Sequence, residues 1–362
     1  MLARVGKLRR ALSDNGLDGF LVTNLTNCRY LSGFTGSTGW LLITADRAGI
    51  AVDSRYVEQA RHECPEFELI PIRGYFPDWF FTLAVDLRAV RWGIESQAIS
   101  LAAYHQTTEK IASDRLPLQL VSTSNMVESI RTIKEPDELD KMTQAARLAD
   151  RAFEHALSVA RPGITERQLA WEIERFMREN GSEPVSFEII VASGPNSALP
   201  HARPSERVIE AGEPILLDFG ARIAGYCSDF TRTICLGEPD PTLFRVYTIV
   251  LGAQLTALAT MEAGMTGEQA DQLARTVIAE GGYAETFGHG LGHGVGLDVH
   301  ESPRLGTRST DVLQQGVTFT IEPGVYLPGW GGVRIEDTVV MENQRVRPLT
   351  NARKTLKAHA QS

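Results

Sequence analysis

One helix-start signal occurs twice in this sequence, 101 residues apart, and it constrains the fold more than any other feature. The first copy is Gly163–Gln168 and the second is Gly264–Gln269, both with the pattern Gly-x-Thr-x-x-Gln. The threonine and the glutamine three residues later form a capping box, which predicts that a helix begins at each copy. Two unrelated helices could share such a signal, but the similarity continues beyond it and favours a duplicated unit.

The sequence that follows each helix signal carries two acidic residues at similar places. An apolar strand ends in Asp218 in the first copy and in Glu322 in the second, and a glycine-containing turn follows each. A second predicted strand then carries Asp229 in the first copy and Glu336 in the second. Two such halves facing each other would bring these four carboxylates to one centre.

A glycine-rich stretch, Gly288–Glu301, lies between these two pairs of acids. It contains His289, His293 and His300, three of the eight histidines in the chain. Glycines on both sides of two of these histidines let backbone and ligand approach closely. The other histidines lack such neighbours: His201 lies in a loop-like segment, and His62, His105, His155 and His359 are expected to be structural or exposed.

Four acids at the ends of apolar strands need compensating positive charge, because burying an unpaired carboxylate is costly. One alternative is a set of buried salt bridges with Arg222, Arg232 and Arg334. The acids and His293 outnumber these arginines, so we favour two divalent cations held by four carboxylates and one imidazole. This oxygen-rich ligand set suits manganese, cobalt or iron, and zinc remains an alternative occupant.

A pair of cations activates a bridging water and binds the reacting oxygens, which indicates metal-assisted hydrolysis. The reaction also needs a proton carrier and groups that stabilise the developing negative charge. His201, His289 and His300 are candidates for these roles, and Glu322 is a ligand that can also move a proton.

Residues 1–127 alternate short apolar strands with amphipathic helices, which predicts an α/β domain. Strands are expected at Gly19–Thr23, Trp40–Thr44, Gly49–Asp53 and Val90–Ile94, and helices at Ser54–Glu63, Asp78–Leu87 and Leu101–Ser113. The turn-rich segment Asn27–Gly36 is expected to be a connecting loop, with a segment that reaches a neighbouring site as the alternative. A charged stretch with Pro136, a residue suited to the first turn of a helix, marks the start of a second domain that we place at residues 128–362.

Composition narrows the classes of protein that fit. A chain of 362 residues with 43% hydrophobic and 22% charged residues is typical of a globular protein with room for two domains. A net charge of −9 argues against nucleic acid or an anionic membrane as the main partner. No run of apolar residues is long enough to predict a membrane span. The four cysteines contain no C-x-x-C pair, so we expect a reduced, cytoplasmic protein.

Five motifs occur in the order and at the spacing of a known family. LLDFG, SDFTRT, GHGLGHGVGLDVHE, TIEPGVY and VRIED closely resemble the pita-bread metallopeptidases, in particular their Xaa-Pro group of prolidases and aminopeptidases P. YLSGFTG and VDSRY resemble the creatinase-like N-terminal domain of that family. The resemblance implies an α/β N-terminal domain followed by an α+β pita-bread catalytic domain, with pseudo-two-fold symmetric halves around a curved antiparallel sheet.

The same resemblance implies roles for individual residues. It implies metal ligands at Asp218, Asp229, His293, Glu322 and Glu336, substrate or transition-state contacts from His201 and His300, and a pocket position for His289. It further implies hydrolysis of the Xaa-Pro bond in short proline-containing peptides by a homodimer. Manganese is the expected metal, with cobalt, zinc or iron as alternatives.

Two arginines bear on the length of the substrate. A dipeptidase must bind the carboxylate of the substrate's proline, and arginine is the natural bidentate partner for it. Arg304 resembles the arginine that some microbial prolidases place there, although it could equally be a solvated loop residue, and Arg334 occurs in both subgroups. We therefore expect an Xaa-Pro dipeptidase, with an aminopeptidase P that acts on longer peptides as the alternative.

The sequence leaves two further classes of protein open. The first is a non-enzymatic peptide-binding scaffold of the same fold, which the complete set of five ligands opposes. The second is a hydrolase of a small non-peptide amide, as creatinase is, and a panel of substrates would distinguish it.

Overall fold

The computed structural model describes residues 1–74 and 76–358, so that His359 lies outside the described residues. The chain divides into two compact units, of which the first covers Met1–Arg131 and the second begins at Thr132. The boundary expected after residue 127 lies four residues before this division, because the helix Met126–Thr132 runs across it.

The first unit is an α/β structure with one six-stranded mixed sheet. Its strands are β1 (Gly19–Val22), β2 (Trp40–Thr44), β3 (Ala48–Val52), β4 (Glu68–Pro71), β5 (Arg91–Glu95) and β6 (Gln119–Thr123), in the spatial order β4-β3-β2-β1-β5-β6. Its helices are α1 (Leu2–Asp14), α2 (Leu25–Ser32), α3 (Val57–Glu63), α4 (Asp78–Asp86), α5 (Leu101–Ser113) and α6 (Met126–Thr132). The α/β prediction is confirmed, and every strand and helix expected in this unit is present with ends shifted by three residues or fewer.

Helix α2 corrects the expectation of a loop at Asn27–Gly36. The side chain of Asn24 accepts hydrogen bonds from the backbone N–H groups of Thr26 (2.8 Å) and Asn27 (3.3 Å), and so caps the start of the helix. Gly33 ends the helix with a φ of 86°, a left-handed conformation that glycine adopts at little cost. Both signals are local, but the helix between them has only eight residues.

The second unit packs four long helices around an antiparallel sheet. Its helices are α7 (Pro136–Val159), α8 (Glu166–Glu179), α9 (Pro241–Thr260) and α10 (Gly267–Glu280). Its strands are β7 (Ile190–Ser193), β8 (Ile215–Phe219), β9 (Arg222–Ile223), β10 (Tyr226–Cys227), β11 (Phe230–Ile234), β12 (Gly292–Gly294), β13 (Glu301–Leu305), β14 (Thr318–Ile321), β15 (Gly324–Leu327), β16 (Gly331–Arg334), β17 (Glu336–Glu342) and β18 (Arg345–Pro348). The main sheet has the order β13-β12-β14-β17-β11-β8-β7, with β18 added on β17, and β9–β10 and β15–β16 form two small hairpins.

The two sequence copies form the two halves of this curved sheet, as predicted. The halves meet where β11 of the first pairs with β17 of the second. Helices α7 and α8 pack on the strands of the first half, in a core that includes Phe153 and Phe230, and helices α9 and α10 pack on those of the second. Both predicted capping boxes form, from Thr165 at the start of α8 and from Thr266 at the start of α10.

Helix α9 has the length and apolar composition of a membrane-spanning helix, which differs from the expectation that no segment would reach that length. Its side chains Leu243, Val246 and Val250 are fully buried in the core of the second half. Gln254 on the same helix donates a hydrogen bond of 2.7 Å to the buried carboxylate of Asp337. Core packing therefore accounts for the buried apolar face of this helix.

Candidate metal centre

The predicted ligands lie on neighbouring strands of the main sheet. Asp218 is on β8, Asp229 directly precedes β11, His293 is on β12, Glu322 directly follows β14, and Glu336 begins β17. These five strands are adjacent in the sheet order β12-β14-β17-β11-β8, so their side chains converge from both halves.

Thr231 lies at the middle of this arrangement. It is directly opposite Asp218 on one side and directly opposite Glu336 on the other. Directly opposed residues of antiparallel strands project from the same face of a sheet, so the two acids share a face. The Thr231 hydroxyl also donates a hydrogen bond to the Glu336 carboxylate, which fixes the orientation of that side chain. This threonine was not among the residues predicted from sequence, although the SDFTRT motif contains it.

Three of the five side chains form a compact group. Asp229, His293 and Glu336 each offer a ligand atom, and these atoms lie within 4.8 Å of one another. The Nε2 atom of His293 is 3.5 Å from Oδ2 of Asp229 and 3.3 Å from Oε1 of Glu322. Oxygen atoms and one imidazole nitrogen at such separations are the donor set that divalent transition metals accept.

The pKa shifts of these buried acids also indicate a site for a divalent cation. Burial raises the pKa of Asp229 well above its ordinary value, and the negative charges of Glu336, Asp218 and Glu322 raise it further. Burial and the charges of Glu322 and Asp218 likewise raise the pKa of Glu336. One carboxylate oxygen, Oδ1 of Asp218, is buried without a hydrogen-bond partner. A cation would relieve the repulsion and provide this oxygen with a partner, so the residues fit a metal.

Glu322 and His293 form a pair of opposite charge within the group. Burial raises the pKa of Glu322, but the hydrogen bond and charge of His293 lower it more, to about 2. Burial lowers the pKa of His293, whereas its hydrogen bond with Glu322 and the charge of that residue raise it, with a net upward shift. A protonated His293 would therefore partly neutralise the negative charge of the site when no cation is bound.

The alternative of buried salt bridges accounts for only one of the four acids. Arg334 donates a hydrogen bond from Nη2 to Oδ2 of Asp218, and both side chains are buried. Arg232 instead contacts Asp337, and Arg222 donates to the backbone oxygen of Ser186. Among the described residues, Asp229 and Glu336 have no arginine or lysine within 4.0 Å that could replace a metal.

A chain of hydrogen bonds leads from Arg334 to His289. Arg334 donates from Nη1 to the Tyr326 hydroxyl at 2.7 Å, and the hydroxyl lies 2.9 Å from Nε2 of His289. The other ring nitrogen, Nδ1, lies 2.8 Å from the backbone oxygen of Gly290 and must be its donor. Nε2 therefore accepts from Tyr326, and His289 is neutral. Burial lowers the pKa of His289 and raises that of Tyr326 to about 12, which agrees with these roles.

The remaining predicted residues line one cavity of about 560 Å³ next to the acids. His300 packs edge to face on His293, with 4.3 Å between ring centroids, and His201 lies on the loop that follows the short 3₁₀ helix Gly194–Ala198. Arg304 is the β13 residue directly opposite His293, so both project from the same face and Arg304 reaches the cavity. Among the residues expected to be structural, His155 stacks on Phe176, with ring centroids 4.7 Å apart.

The sequence matches two protein families and several solved structures. Residues 140–343 match metallopeptidase family M24, and residues 4–133 match the creatinase/prolidase N-terminal domain. The structure of an Xaa-Pro dipeptidase from Bacillus anthracis is 43% identical, with a TM-score of 0.94, and the match covers 98% of this chain and 99% of that one. An X-Pro aminopeptidase from Thermotoga maritima MSB8 is 38% identical, with a TM-score of 0.88 and coverage of 94% and 97%. An Xaa-Pro dipeptidase from Pyrococcus horikoshii is 35% identical in sequence over 98% of this chain and 99% of that protein.

Proposed function

Because this chain belongs to metallopeptidase family M24, we propose that it is an exopeptidase that hydrolyses the bond before proline in Xaa-Pro dipeptides. The observation that carries the proposal is the convergence of four carboxylates and His293 on one buried centre beside a cavity. The Xaa-Pro dipeptidases from Bacillus anthracis and Pyrococcus horikoshii both align with almost the whole chain. The complete ligand set opposes a non-enzymatic scaffold.

The family uses divalent metal ions, and five residues of this chain would hold them: Asp218, Asp229, His293, Glu322 and Glu336. Bound there, two cations would supply an activated water and polarise the scissile carbonyl. We propose manganese as the working metal, since four of the five ligands offer oxygen, with cobalt, iron or zinc as substitutes.

The residues around the acids have separate tasks in this proposal. The Glu322 carboxylate takes a proton from the attacking water and delivers it to the departing proline nitrogen. His300 and His201 line the cavity and donate hydrogen bonds to the substrate's carbonyl or carboxylate oxygens. Neutral His289, held through Nε2 by Tyr326, lines the wall of the pocket without adding charge.

The proposal is tested by comparing turnover of Ala-Pro and Ala-Pro-Ala with added Mn²⁺. We expect hydrolysis of both to require the metal and Ala-Pro to have the higher kcat/KM. A higher value for Ala-Pro-Ala would make the chain an Xaa-Pro aminopeptidase, the alternative that its similarity to the Thermotoga maritima protein favours. A metal-loaded protein that cleaves neither peptide but cleaves a small non-peptide amide would overturn the proposal.

We propose that Arg304 binds the proline carboxylate of a dipeptide. Its exposed side chain lines the cavity opposite His293, and Asp311 accepts a hydrogen bond of 2.7 Å from the backbone N–H of Arg304. Arg304→Gln is expected to raise KM for Ala-Pro by about 10- to 100-fold, because one charge-assisted hydrogen bond to the substrate is lost. The increase in KM for Ala-Pro-Ala should be smaller. Arg308→Gln, in the loop that follows β13 and outside the cavity lining, is the matched control. Equal losses on both peptides would contradict this role.

We also propose that the protein works as a cytoplasmic homodimer. All four cysteines are buried and free of disulfides, which supports a reducing compartment. Dimerisation is expected from the family resemblance, and light scattering on the purified protein should give twice the mass of one chain. The mass of a single chain at working concentration would contradict it.

A further inference from the structure

Helix α10 carries an ion pair whose arginine also binds the backbone of the histidine stretch. Arg275 donates from Nε to Oδ2 of Asp271 at 2.7 Å and from Nη2 to Oδ1 at 2.9 Å. The same guanidinium donates from Nη1 to the backbone oxygen of Phe287 and from Nη2 to that of His289, both at 2.8 Å. One planar group therefore connects the helix with two carbonyls of the segment Phe287–Leu291.

Asp271 holds the other end of that segment. Its Oδ1 atom accepts a hydrogen bond of 2.9 Å from the backbone N–H of Leu291, and the side chain is buried. The backbone oxygen of Leu291 in turn accepts a hydrogen bond of 2.8 Å from the N–H of Glu322. The segment is thus fixed between helix α10 and the end of β14.

Packing adds to these hydrogen bonds. The guanidinium of Arg275 lies over the Phe287 ring, 4.2 Å from its centroid. That ring meets the His289 imidazole edge to face, with 5.0 Å between centroids. Arg275 therefore contacts the Phe287 ring, which packs against the His289 imidazole, as well as the backbone oxygen of His289.

The glycines on both sides of His289 explain why outside support is needed. Glycine has more backbone freedom than any other residue type. With Gly288 and Gly290, the segment Phe287–Leu291 would therefore sample many conformations by itself. Near Gly290 there is no room for a side chain, because an added Cβ would lie 2.4 Å from the backbone oxygen of Leu305. The glycines allow close packing, and the conformational freedom that they introduce must be removed by other contacts.

The equivalent positions of the first sequence copy, all within the described residues, do not carry this pair. The positions 101 residues before Asp271 and Arg275 are Ala170 and Glu174. Glu174 pairs with Arg178 across one turn of α8. This pair is more exposed than Asp271–Arg275, and among the described residues its side-chain hydrogen bond joins only residues of α8. The Asp271–Arg275 pair is the more buried of the two and binds a loop, and it lies in the half that carries the glycine-flanked His289.

We propose that Arg275, held by Asp271, is a positioning residue that keeps His289 in one orientation and one neutral tautomer at the wall of the substrate cavity. The consequence for catalysis rests on the proposed peptidase function, whereas the effect on the His289 ring does not. The pair keeps Nδ1 on the Gly290 oxygen and Nε2 on the Tyr326 hydroxyl.

The test uses the full-length protein labelled with ¹⁵N-histidine. Asp271→Asn/Arg275→Gln removes the two contacts to carbonyls without leaving a lone buried charge, and the introduced asparagine side chain can still accept from the N–H of Leu291. We expect the His289 signal, assigned by its loss in His289→Gln, to change from one neutral tautomer to an average of tautomers. With metal content unchanged, kcat for Ala-Pro should fall about 10- to 100-fold, the range expected for a misplaced active-site group. Arg275→Lys keeps the positive charge but loses the planar guanidinium with its several N–H donors. Its His289 signal and its kcat should lie between those of the double variant and the wild-type protein.

Arg178→Gln is the matched control, because it breaks an ion pair of the same spacing that touches no loop. It should leave both the His289 signal and kcat unchanged. A folded double variant with the wild-type His289 signal would overturn the proposal, even if its activity or Tm were lower. If the wild-type protein proved inactive on Xaa-Pro peptides, the proposed function would fail, and the ¹⁵N signal alone would still decide the role of Arg275.

Discussion

Asp229→Asn should abolish turnover and, in the absence of divalent cations, raise the thermal stability of the protein. Loss of a ligand should lower kcat/KM by at least about 10³-fold, because the metal supplies several kcal/mol of transition-state stabilisation. The gain in stability has an electrostatic cause: Asp229 is buried among Glu336, Asp218 and Glu322, and its pKa is raised well above the ordinary value. A neutral amide of the same shape removes this repulsion. A Tm increase of about 1 °C would correspond to about 1 kcal/mol in a protein of this size.

Calorimetry with and without Mn²⁺ separates the two effects. The wild-type protein should gain stability steeply on addition of metal, and the Asp229→Asn variant should gain little. Glu174→Gln, which removes a carboxylate on the surface of α8, should behave as the wild-type protein does in both conditions. A metal-free Asp229→Asn protein that melts below the wild-type protein, or one that keeps the full response to metal, would refute the metal centre at these five residues.

The same charges predict how the metal-free protein responds to pH. The folded-state pKa values of Asp229 and Glu336 lie above their unfolded values, because burial and neighbouring acids favour the protonated forms. Their contribution to stability is complete below about pH 4, the ordinary carboxyl range, and is lost as pH rises through the raised folded values. The Tm of the metal-free protein should therefore decline over that window. Saturating Mn²⁺ should remove the decline, since the cation replaces the protons.

Asp337→Ala should destabilise the protein by about 3–5 kcal/mol, because it leaves a buried arginine without its partner. Asp337 is fully buried, and its carboxylate is 2.8 Å from Nη2 of Arg232 and 2.7 Å from Nζ of Lys354. Gln254 and Thr350 donate two further hydrogen bonds, of 2.7 and 2.9 Å. Burial alone raises the pKa of Asp337, but Arg232 and Lys354 lower it more, so that it stays below the ordinary value.

Urea unfolding of the metal-free protein measures this effect without interference from ligand binding. The midpoint for Asp337→Ala should fall sharply, and Asp337→Asn, which keeps the shape and part of the hydrogen bonding, should lose less. Lys354→Met is the control within the network, with a smaller loss expected because its side chain is 21% exposed. As Asp337 has a lowered folded pKa, its contribution is present above the ordinary range and is lost as pH falls through the folded value. A wild-type midpoint for Asp337→Ala would show that the ion pair does not stabilise the fold.

Asp229 and Asp337 are chemically similar acids, and only one of their two roles could be predicted from sequence. The four acids, which include Asp218 and Glu322 at the ends of apolar strands, indicated a pair of cations because they and His293 outnumber the arginines that could neutralise them. The neighbouring residues Glu336 and Asp337 point to opposite faces of β17, so one reaches the ligand group and the other reaches Arg232. Which arginine serves which acid depends on how the strands pack, and the motif VRIED does not contain that information.

The fold could be predicted where signals are local and repeated. The two capping boxes, at Thr165 and Thr266, gave correct starts for α8 and α10 because they depend on residues three positions apart. Helix α2 was missed although Asn24 and Gly33 mark its ends, because its eight residues lie within a turn-rich segment. The bonds of Arg275 to carbonyls 12 and 14 residues further along could not be predicted, since only the tertiary fold brings these groups together.

The seam between β11 and β17 has a consequence for how such an enzyme could have arisen. Asp218 and Asp229 come from one copy of the repeat, and His293, Glu322 and Glu336 come from the other. A solitary ancestral copy could supply at most part of this set, so it would have bound the cations only when paired with a second copy of itself. In the present chain, cations at this seam would bind side chains of both copies at once, so metal binding would couple the two halves that the β11–β17 pairing already joins.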